Sequence, residues 1–229
     1  MANILLIDTV SDQCSVAWTN LDGTVELFSN PGDNPSVVLT NLISECAAKA
    51  GFKLQQLNAI AISAGPGSYT GLRVAYSVAK GLCLGLSIPL IEISTLEALA
   101  AASRKLFPGK DIFHLAMIDA RRMEVAAALY DHDGRLIEHF PDLILNEGAF
   151  AGTSLIFSNL VLSGTGTDKW AIVGLSSEVQ NSGILPSAQH MAELSLAAFE
   201  ESRFSQAALA SPIYFKKPNI TTSKRQLFS

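Results

Sequence analysis

A three-strand pattern that occurs twice constrains the fold of this chain more than any other feature of its sequence. In the first copy, apolar runs predict strands at Ile4–Asp8, Cys14–Thr19 and Thr24–Ser29, with a turn at Asn20-Leu21-Asp22-Gly23. In the second copy, similar runs predict strands at Ile112–Asp119, Glu124–Tyr130 and Arg135–Phe140, with a turn at Asp131-His132-Asp133-Gly134. Each copy therefore predicts three antiparallel strands in succession.

The spacing between the two copies is constant. Subtraction gives 111 for three landmark pairs, which are Asp8 and Asp119, Asp22 and Asp133, and Gly23 and Gly134. Asp-Gly turns are common, so one matched pair carries little weight, but three pairs at a single offset favour a duplicated unit. The sequence thus predicts two similar lobes.

Further helices and strands are predicted after each copy. In the first half these are a helix at Pro35–Ala50 between Asn34 and Gly51, a strand at Asn58–Ser63, a helix at Thr70–Leu86, a strand at Pro89–Ile93 and a helix from Ser94 to Phe107. In the second half they are a helix near Asn146–Gly152, a strand at Leu160–Ser163 and a helix from Ser187 to about Arg203. Pro108-Gly109 marks the boundary between the halves.

The predicted lobes are residues 1–107 and 108–204, with residues 205–229 as a segment that can return to the first lobe. Within that segment, Lys216 to Ser229 is expected to be loosely ordered. A duplicated strand meander with helices predicts an α/β fold. It resembles the actin-like two-lobe fold of actin, Hsp70 and the sugar kinases, a ribonuclease H-like superfamily whose lobes hold a nucleotide between them.

Composition limits the classes of function. Apolar residues make up 48% of the 229, which is enough for two small cores, and the formal net charge of −5 supplies no basic field for holding nucleic acid. No signal-peptide pattern and no apolar run of membrane-spanning length is seen, so we expect a cytoplasmic protein that does not bind membranes. Three widely spaced cysteines are expected to be reduced core residues, Cys14, Cys46 and Cys83.

A Gly-rich run, GPGSYTGLR from Gly65 to Arg73, connects the predicted strand Asn58–Ser63 to the helix Thr70–Leu86. Its glycines permit positive φ and close backbone approach, and Ser68 or Thr70 can cap the helix. Phosphate binding at this helix N-terminus is one interpretation. The run lacks the lysine of a P-loop and the GxGxxG spacing, so a tight strand-to-helix turn is the other interpretation.

The helix after this run has two apolar sides. One side is suited to packing on its own sheet and carries Leu72, Ala75, Ala79, Leu82, Cys83 and Leu86. The opposite side is small and largely uncharged, with Lys80 and Arg73 on the flanks, and its candidate interface residues are Thr70, Arg73, Val74, Ser77, Val78, Gly81 and Gly85. Either the second lobe or a partner protein must cover that side, because small residues let another helix approach closely.

These residues resemble the signature of the TsaB (YeaZ) family. The resemblance rests on GPGSYTGLR, the opening ILLIDT, the segment Met117–Val125 (MIDARRMEV) and the paired three-strand units, and it spans most of residues 1–140. It implies an actin-like fold and a role as partner of the related catalytic subunit TsaD and the ATPase TsaE. Together these proteins transfer a threonylcarbamoyl group to N6 of tRNA adenosine 37.

The resemblance also implies what this chain lacks. The catalytic relative carries a histidine pair on its early helix for a metal, whereas Pro35–Ala50 contains no histidine, so we expect no catalytic residues and no metal site here. ATP or ADP and the metal are expected on the partner subunits, and tRNA is expected to bind only through the complex. A vestigial nucleotide site is predicted at Asp8, Gly65, Gly67, Gly164 and Gly166.

Alternatives remain open at this point. The chain could be a peptidase, as the family's older glycoprotease label implies, or an ATPase like other members of the superfamily. A small apolar helix face could also mediate homodimerisation when the partner is absent. Two segments depart from the family pattern, Asn34-Pro35-Ser36 where many relatives carry His-Ser, and LSGTGTDK at Leu162–Lys169 where relatives carry a Gly-Asp-Gly turn.

Overall fold

A computed structural model describes residues 2–150, 159–175 and 179–214 of the chain. Within these ranges the first sheet contains β1 (Ile4–Asp8), β2 (Ser15–Asn20), β3 (Gly23–Phe28), β4 (Ala59–Gly65) and β5 (Leu90–Ser94). The second sheet contains β6 (Phe113–Asp119), β7 (Glu124–Tyr130), β8 (Leu136–Ile144), β9 (Leu160–Ser163) and β10 (Gln180–Asn181). The α-helices are α1 (Pro35–Ala50), α2 (Tyr69–Leu86), α3 (Thr95–Leu106), α4 (Thr167–Val173) and α5 (Ala192–Glu200).

The two sheets have the same topology. The first has the order β3-β2-β1-β4-β5 and the second, taken from its other edge, has the order β8-β7-β6-β9-β10. In each sheet the first strand pairs antiparallel with the second and parallel with the fourth. The duplication predicted from the 111-residue spacing is therefore confirmed, and the chain has the duplicated α/β, actin-like fold.

The core of the first sheet lies on both of its faces. All five residues of β1 are buried, and successive side chains point to opposite sides of a strand. Leu5 and Ile7 pack with α1 and α2, whereas Ile4 and Leu6 pack with α5 and the 3-10 helix Ala188–Met191. The cysteines are free and buried, as predicted, and Cys14, Cys46 and Cys83 all belong to the layer under α1 and α2.

The second sheet is covered by two other helices. Leu96 and Leu99 of α3 pack against Ala116 and Ile118 of β6, although α3 follows β5 of the first sheet along the chain. On the opposite face, Trp170 of α4 packs with β6, β7 and β9. The helix α3 therefore links the two halves of the molecule.

The C-terminal part of the described chain packs on the first sheet. Met191 and Ala198 contribute to the core on its α5 side. Ser205 N then donates to Leu90 O at 2.8 Å, and Ile213 N donates to Ala64 O at 2.9 Å. The sequence assigned residues up to 204 to the second lobe, but the contacts of α5 are with the first sheet.

Several predicted elements differ from those observed. The predicted single helix from Ser187 to Arg203 is wrong, because a 3-10 turn precedes α5 and the chain ends the helix at Glu200, with Ser202 at a φ of +54°. Residues 146–150 form turns rather than the start of a helix, and residues 151–152 lie outside the described ranges, as does the predicted loose tail Lys216 to Ser229. The short elements α4 and β10 were not predicted, and other boundaries shift by one to four residues.

Candidate functional site

The Gly-rich loop is packed against the connection that follows β1. Ser68 caps α2, since its hydroxyl accepts from Gly71 N at 3.2 Å, and Ser68 N donates to Val10 O at 2.8 Å. A Cβ at Gly67 would lie 2.3 Å from Val10 Cβ, and a Cβ at Gly71 would lie 2.0 Å from Thr9 O. Glycine is needed at both positions because two stretches of chain meet there without room for a side chain.

Gly65 is in contact with the returning C-terminal segment. Its φ is +110°, and a Cβ at this position would lie 2.7 Å from Ile213 O. Both the positive φ and the close contact favour glycine without any ligand. The structure therefore gives Gly65 a packing role at the end of β4.

The corresponding loop of the second lobe is also closed by internal contacts. Gly164 N donates to Ile184 O at 2.8 Å, and Gly166 N donates to Met117 O at 3.0 Å. A Cβ at Gly164 would lie 2.1 Å from the same Met117 oxygen. The two amide donors that a phosphate would need are thus already hydrogen-bonded within the chain.

Asp8 and Asp119 end the first strands of their sheets and have different surroundings. Asp8 is only 2% exposed; it accepts a hydrogen bond from Ser63 Oγ and another from Val10 N at 3.3 Å. Desolvation by burial raises the pKa of Asp8 to about 6, against the lowering effect of the Ser63 hydrogen bond. The side chain of Asp119 is 44% exposed and pairs with Lys169 Nζ at 2.6 Å.

The second side of α2 is open over the described part of the molecule. We call the residues predicted for it the α2 outer face: Thr70, Arg73, Val74, Ser77, Val78, Gly81 and Gly85. The two valines are half-buried and the other five residues are exposed. Apart from the helix's own backbone, no described atom lies within 4 Å of a Cβ built on Gly81 or Gly85. The described residues of the second lobe therefore do not cover this face, which favours the partner alternative raised by the sequence.

A groove of about 490 Å³ lies at the N-terminal end of the α2 outer face. It is lined by five members of that face, by Tyr69 of α2 and by Ser36 of α1. Arg73 Nη1 donates to Tyr69 Oη at 2.7 Å, and the Tyr69 ring lies 4.9 Å from the ring of Tyr214. Small residues and two aromatic rings thus form a surface that a helix or an aromatic side chain can contact.

Sequence reasoning missed three residues of this surface. Ser36, Tyr69 and Tyr214 lie outside the helical repeat that identified the α2 outer face. Tyr69 is the first residue of α2 and lies within the Gly-rich run itself, where its exposed aromatic ring stands out among small residues. Tyr214 is brought there by the pairing of Ile213 with β4, which no local pattern in the sequence indicates.

Comparison with known proteins places this arrangement in a family. The family model described as TsaD, tRNA N6-adenosine threonylcarbamoyltransferase, matches residues 33–221. The tRNA threonylcarbamoyladenosine biosynthesis protein TsaB of Escherichia coli strain K12 is 31% identical, with 96% of this chain and 97% of that protein covered.

The chain belongs to the TsaB (YeaZ) family. The TsaB protein of Haemophilus influenzae is 29% identical, with 93% of each chain covered. The solved structure of YeaZ from Pseudomonas aeruginosa superposes with a TM-score of 0.79 at 25% identity and covers 93% of this chain and 100% of that one. The family resemblance predicted from GPGSYTGLR is confirmed.

Residues of the types that bind metals are not clustered in the described part of this TsaB-family chain. Within residues 2–150, 159–175 and 179–214, no three His, Cys, Asp or Glu side chains are grouped so that they could hold a metal ion. His114, which is buried, instead shares a hydrogen bond of 2.7 Å between its Nδ1 and Ser103 Oγ. In the same ranges, no helix has both the length and the apolar character needed to cross a membrane.

Proposed function

We propose that this chain is a non-catalytic partner subunit in tRNA threonylcarbamoyladenosine biosynthesis. It binds and stabilises a TsaD-type catalytic subunit and acts with a TsaE-type ATPase in the transfer of a threonylcarbamoyl group to N6 of tRNA adenosine 37. The relatives from E. coli and H. influenzae carry the name tRNA threonylcarbamoyladenosine biosynthesis protein, which supports the pathway.

The observation that carries the proposal is the open α2 outer face. This face of the 18-residue helix α2 carries no acidic residue, and no described atom outside the helix's own backbone lies within 4 Å of a Cβ built on Gly81 or Gly85. Val37 of α1 and Leu84 of α2 are also 68% and 66% exposed. A neighbouring helix can approach such a face closely and bury its apolar atoms, so a protein partner is the occupant that its shape favours.

The same face supports a second state of the chain. Because a small apolar surface can pair with its own two-fold copy, we propose that the isolated chain forms a homodimer through the α2 outer face. Binding of the TsaD-type subunit would then compete with self-association. Both states bury the same residues, which makes them mutually exclusive.

The cofactors of the reaction are proposed to reside on the partner subunits. In this chain Asp8 is buried, Asp119 is paired with Lys169, and the amide groups of Gly164 and Gly166 are hydrogen-bonded internally. These contacts support a chain that holds neither ATP, ADP nor a metal of its own. With a net charge of −5, the chain is proposed to meet tRNA only within the complex.

Association with the TsaD-type subunit tests this proposal. Val74→Glu places a carboxylate in the middle of the α2 outer face, and a charge buried without a partner costs roughly 3–5 kcal/mol. We expect the affinity measured by calorimetry to fall at least 100-fold. Ala171→Glu, at an exposed position of α4, is the matched control and should bind normally. Normal binding by a folded Val74→Glu variant would reject the proposed interface.

A further inference from the structure

The connection between β6 and β7 presents two adjacent arginines to solvent. Arg121 and Arg122 are both exposed, and both adopt positive φ, at +71° and +52°. Long side chains are uncommon at positive φ because the Cβ crowds the backbone, and such strain is often retained where a site has a function. We call this pair the Arg121–Arg122 tip.

Other hairpins of the same chain relieve this strain with glycine. The β2–β3 hairpin has Gly23 at a φ of +152°, and the β7–β8 hairpin has Gly134 at +83°. Glycine adopts such values without steric cost. The β6–β7 connection therefore keeps two arginines at positions where its neighbours use the residue that local conformation favours.

The base of the tip is held by a network of hydrogen bonds. Asp119 Oδ1 accepts from Arg121 N at 2.5 Å and from Lys169 Nζ at 2.6 Å, and Lys169 Nζ also donates to Glu124 O at 2.8 Å. The ammonium group of Lys169 thus pairs with the Asp119 carboxylate at the end of β6 and also bonds the first residue of β7. The two guanidinium groups are left on a fixed support.

The guanidinium groups have no acidic partner in the described part of the chain. The ion pairs found there join Lys105 to Glu193, His132 to Asp133, Lys169 to Asp119 and Arg203 to Glu201. Arg121 and Arg122 belong to none of them. Two adjacent cations without an acidic partner among the described residues, in a chain with a net charge of −5, favour an anionic ligand.

The equivalent connection of the first lobe has a different character. It follows β1 and is closed by packing, because Val10 is buried and its carbonyl oxygen accepts from Ser68 N. It contains no lysine or arginine between Asp8 and Ser15. The duplicated unit has therefore diverged, with one connection used for packing and the other for display of charge.

We propose that the Arg121–Arg122 tip is a phosphate-binding element that contacts the backbone of tRNA in the assembled complex. Guanidinium groups bind phosphate oxygens through paired, charge-assisted hydrogen bonds. Contacts of this kind fix the position of a nucleic acid without reading its sequence. The identity of the RNA rests on the proposed function, whereas the phosphate chemistry rests on the tip itself.

A double variant, Arg121→Asn with Arg122→Asn, separates charge from conformation. Asparagine tolerates positive φ better than arginine, so the thermal unfolding midpoint should be equal or higher. Titration of the complex of this chain and the TsaD-type subunit with unmodified tRNA should show about tenfold weaker binding. In a plot of log K against the logarithm of the salt concentration, the magnitude of the slope should fall by about 1.4 to 1.8, since each lost phosphate contact removes roughly 0.7 to 0.9.

Two further variants sharpen the result. Arg121→Lys with Arg122→Lys keeps both charges and should retain most of the salt slope. Lys49→Asn with Lys110→Asn removes two exposed charges elsewhere and should leave the tRNA affinity near that of the parent. Unchanged tRNA affinity and slope for the Asn double variant, in a complex that assembles normally, would overturn the inference.

Other outcomes are equally decisive. If the chain and the TsaD-type subunit do not associate, the proposed function fails. The Arg121–Arg122 tip is then tested by the same tRNA titration of the chain alone at low ionic strength. Equal tRNA binding by the parent and by the Asn double variant would overturn the inference. A free nucleotide offers the same phosphate chemistry, so binding of ATP to the parent and to the Asn double variant is also measured. Loss of ATP binding in the variant with unchanged tRNA binding would overturn the assignment to RNA.

Discussion

Lys169 Nζ lies 2.6 Å from Asp119 Oδ1, whereas Asp8, at the equivalent strand end of the first lobe, forms no ion pair with any described residue. The side chain of Lys169 is 9% exposed and that of Asp119 is 44% exposed. Asp8 is buried and is hydrogen-bonded to Ser63 instead. The carboxylate at the end of the first strand is thus paired with a lysine in the second lobe. In the first lobe it accepts hydrogen bonds from a neutral hydroxyl group and a backbone amide.

Removal of the internal cation should destabilise the second lobe. Lys169→Met leaves the Asp119 carboxylate and the Glu124 carbonyl oxygen without this donor, which we expect to lower the free energy of unfolding by about 2 kcal/mol. The loss should be smaller than for a fully buried pair because Asp119 is half-exposed. Urea denaturation measures it. Adding Asp119→Asn to Lys169→Met should recover part of the loss, and equal stability of the single variant and the parent would contradict this account.

Asp8 should make stability depend on pH in a defined window. Its pKa is raised from 3.8 to about 6 by burial, so the folded state binds a proton more tightly than the unfolded state. The contribution of Asp8 to stability is therefore full below about pH 4 and is lost as the pH rises through 6, by up to about 3 kcal/mol.

Denaturation curves of the parent and of Asp8→Asn between pH 4 and 7 isolate this contribution. Asparagine cannot ionise, so the stability of the variant relative to the parent should rise across the window. A difference between Asp8→Asn and the parent that stays constant from pH 4 to 7 would show that Asp8 does not titrate in this range.

Two glycines of α2 should respond to alanine with opposite signs. At Gly71 a Cβ would lie 2.0 Å from Thr9 O, whereas at Gly81 no described atom outside the helix's own backbone lies within 4 Å of a Cβ. Gly71→Ala should therefore cost about 3 kcal/mol or more through displacement of the connection after β1. Gly81→Ala should stabilise the protein by about 0.5–1 kcal/mol, because alanine has the higher helix propensity. Equal effects of the two variants in urea denaturation would contradict the packing described for the Gly-rich loop.

Much of the fold could be predicted because its signals are local. The 111-residue spacing depended on Asp8, Asp119 and two Asp-Gly turns, and the observed sheets follow it. The N-cap at Asn34 and the C-cap at Gly51 were also visible in the sequence, and the structure has α1 between them. Strand-end and helix-cap residues act over a few positions, so sequence alone suffices to find them.

What could not be predicted depends on long-range packing. The position of α5 on the first sheet is set by Met191 and Ala198, whose partners lie more than 90 residues away in the chain. The contact between Tyr69 and Tyr214 likewise requires the returning segment. The Lys169–Asp119 pair was missed because a lysine in an unpredicted short helix gives no periodic signal. The pairing of a helix lysine with a carboxylate at a strand end could be seen only in three dimensions.

Reconstituted tRNA modification tests the central claim most directly. Gly81→Arg places a large charged side chain on the α2 outer face, where no described atom outside the helix's own backbone lies within 4 Å of the new Cβ, and Ala171→Arg places the same side chain on exposed α4. Each variant is combined with the TsaD-type and TsaE-type subunits, and threonylcarbamoyladenosine in tRNA is quantified. We predict that modification requires this chain, is lost with Gly81→Arg and is retained with Ala171→Arg. Full modification with folded Gly81→Arg, or with this chain omitted, would contradict the account.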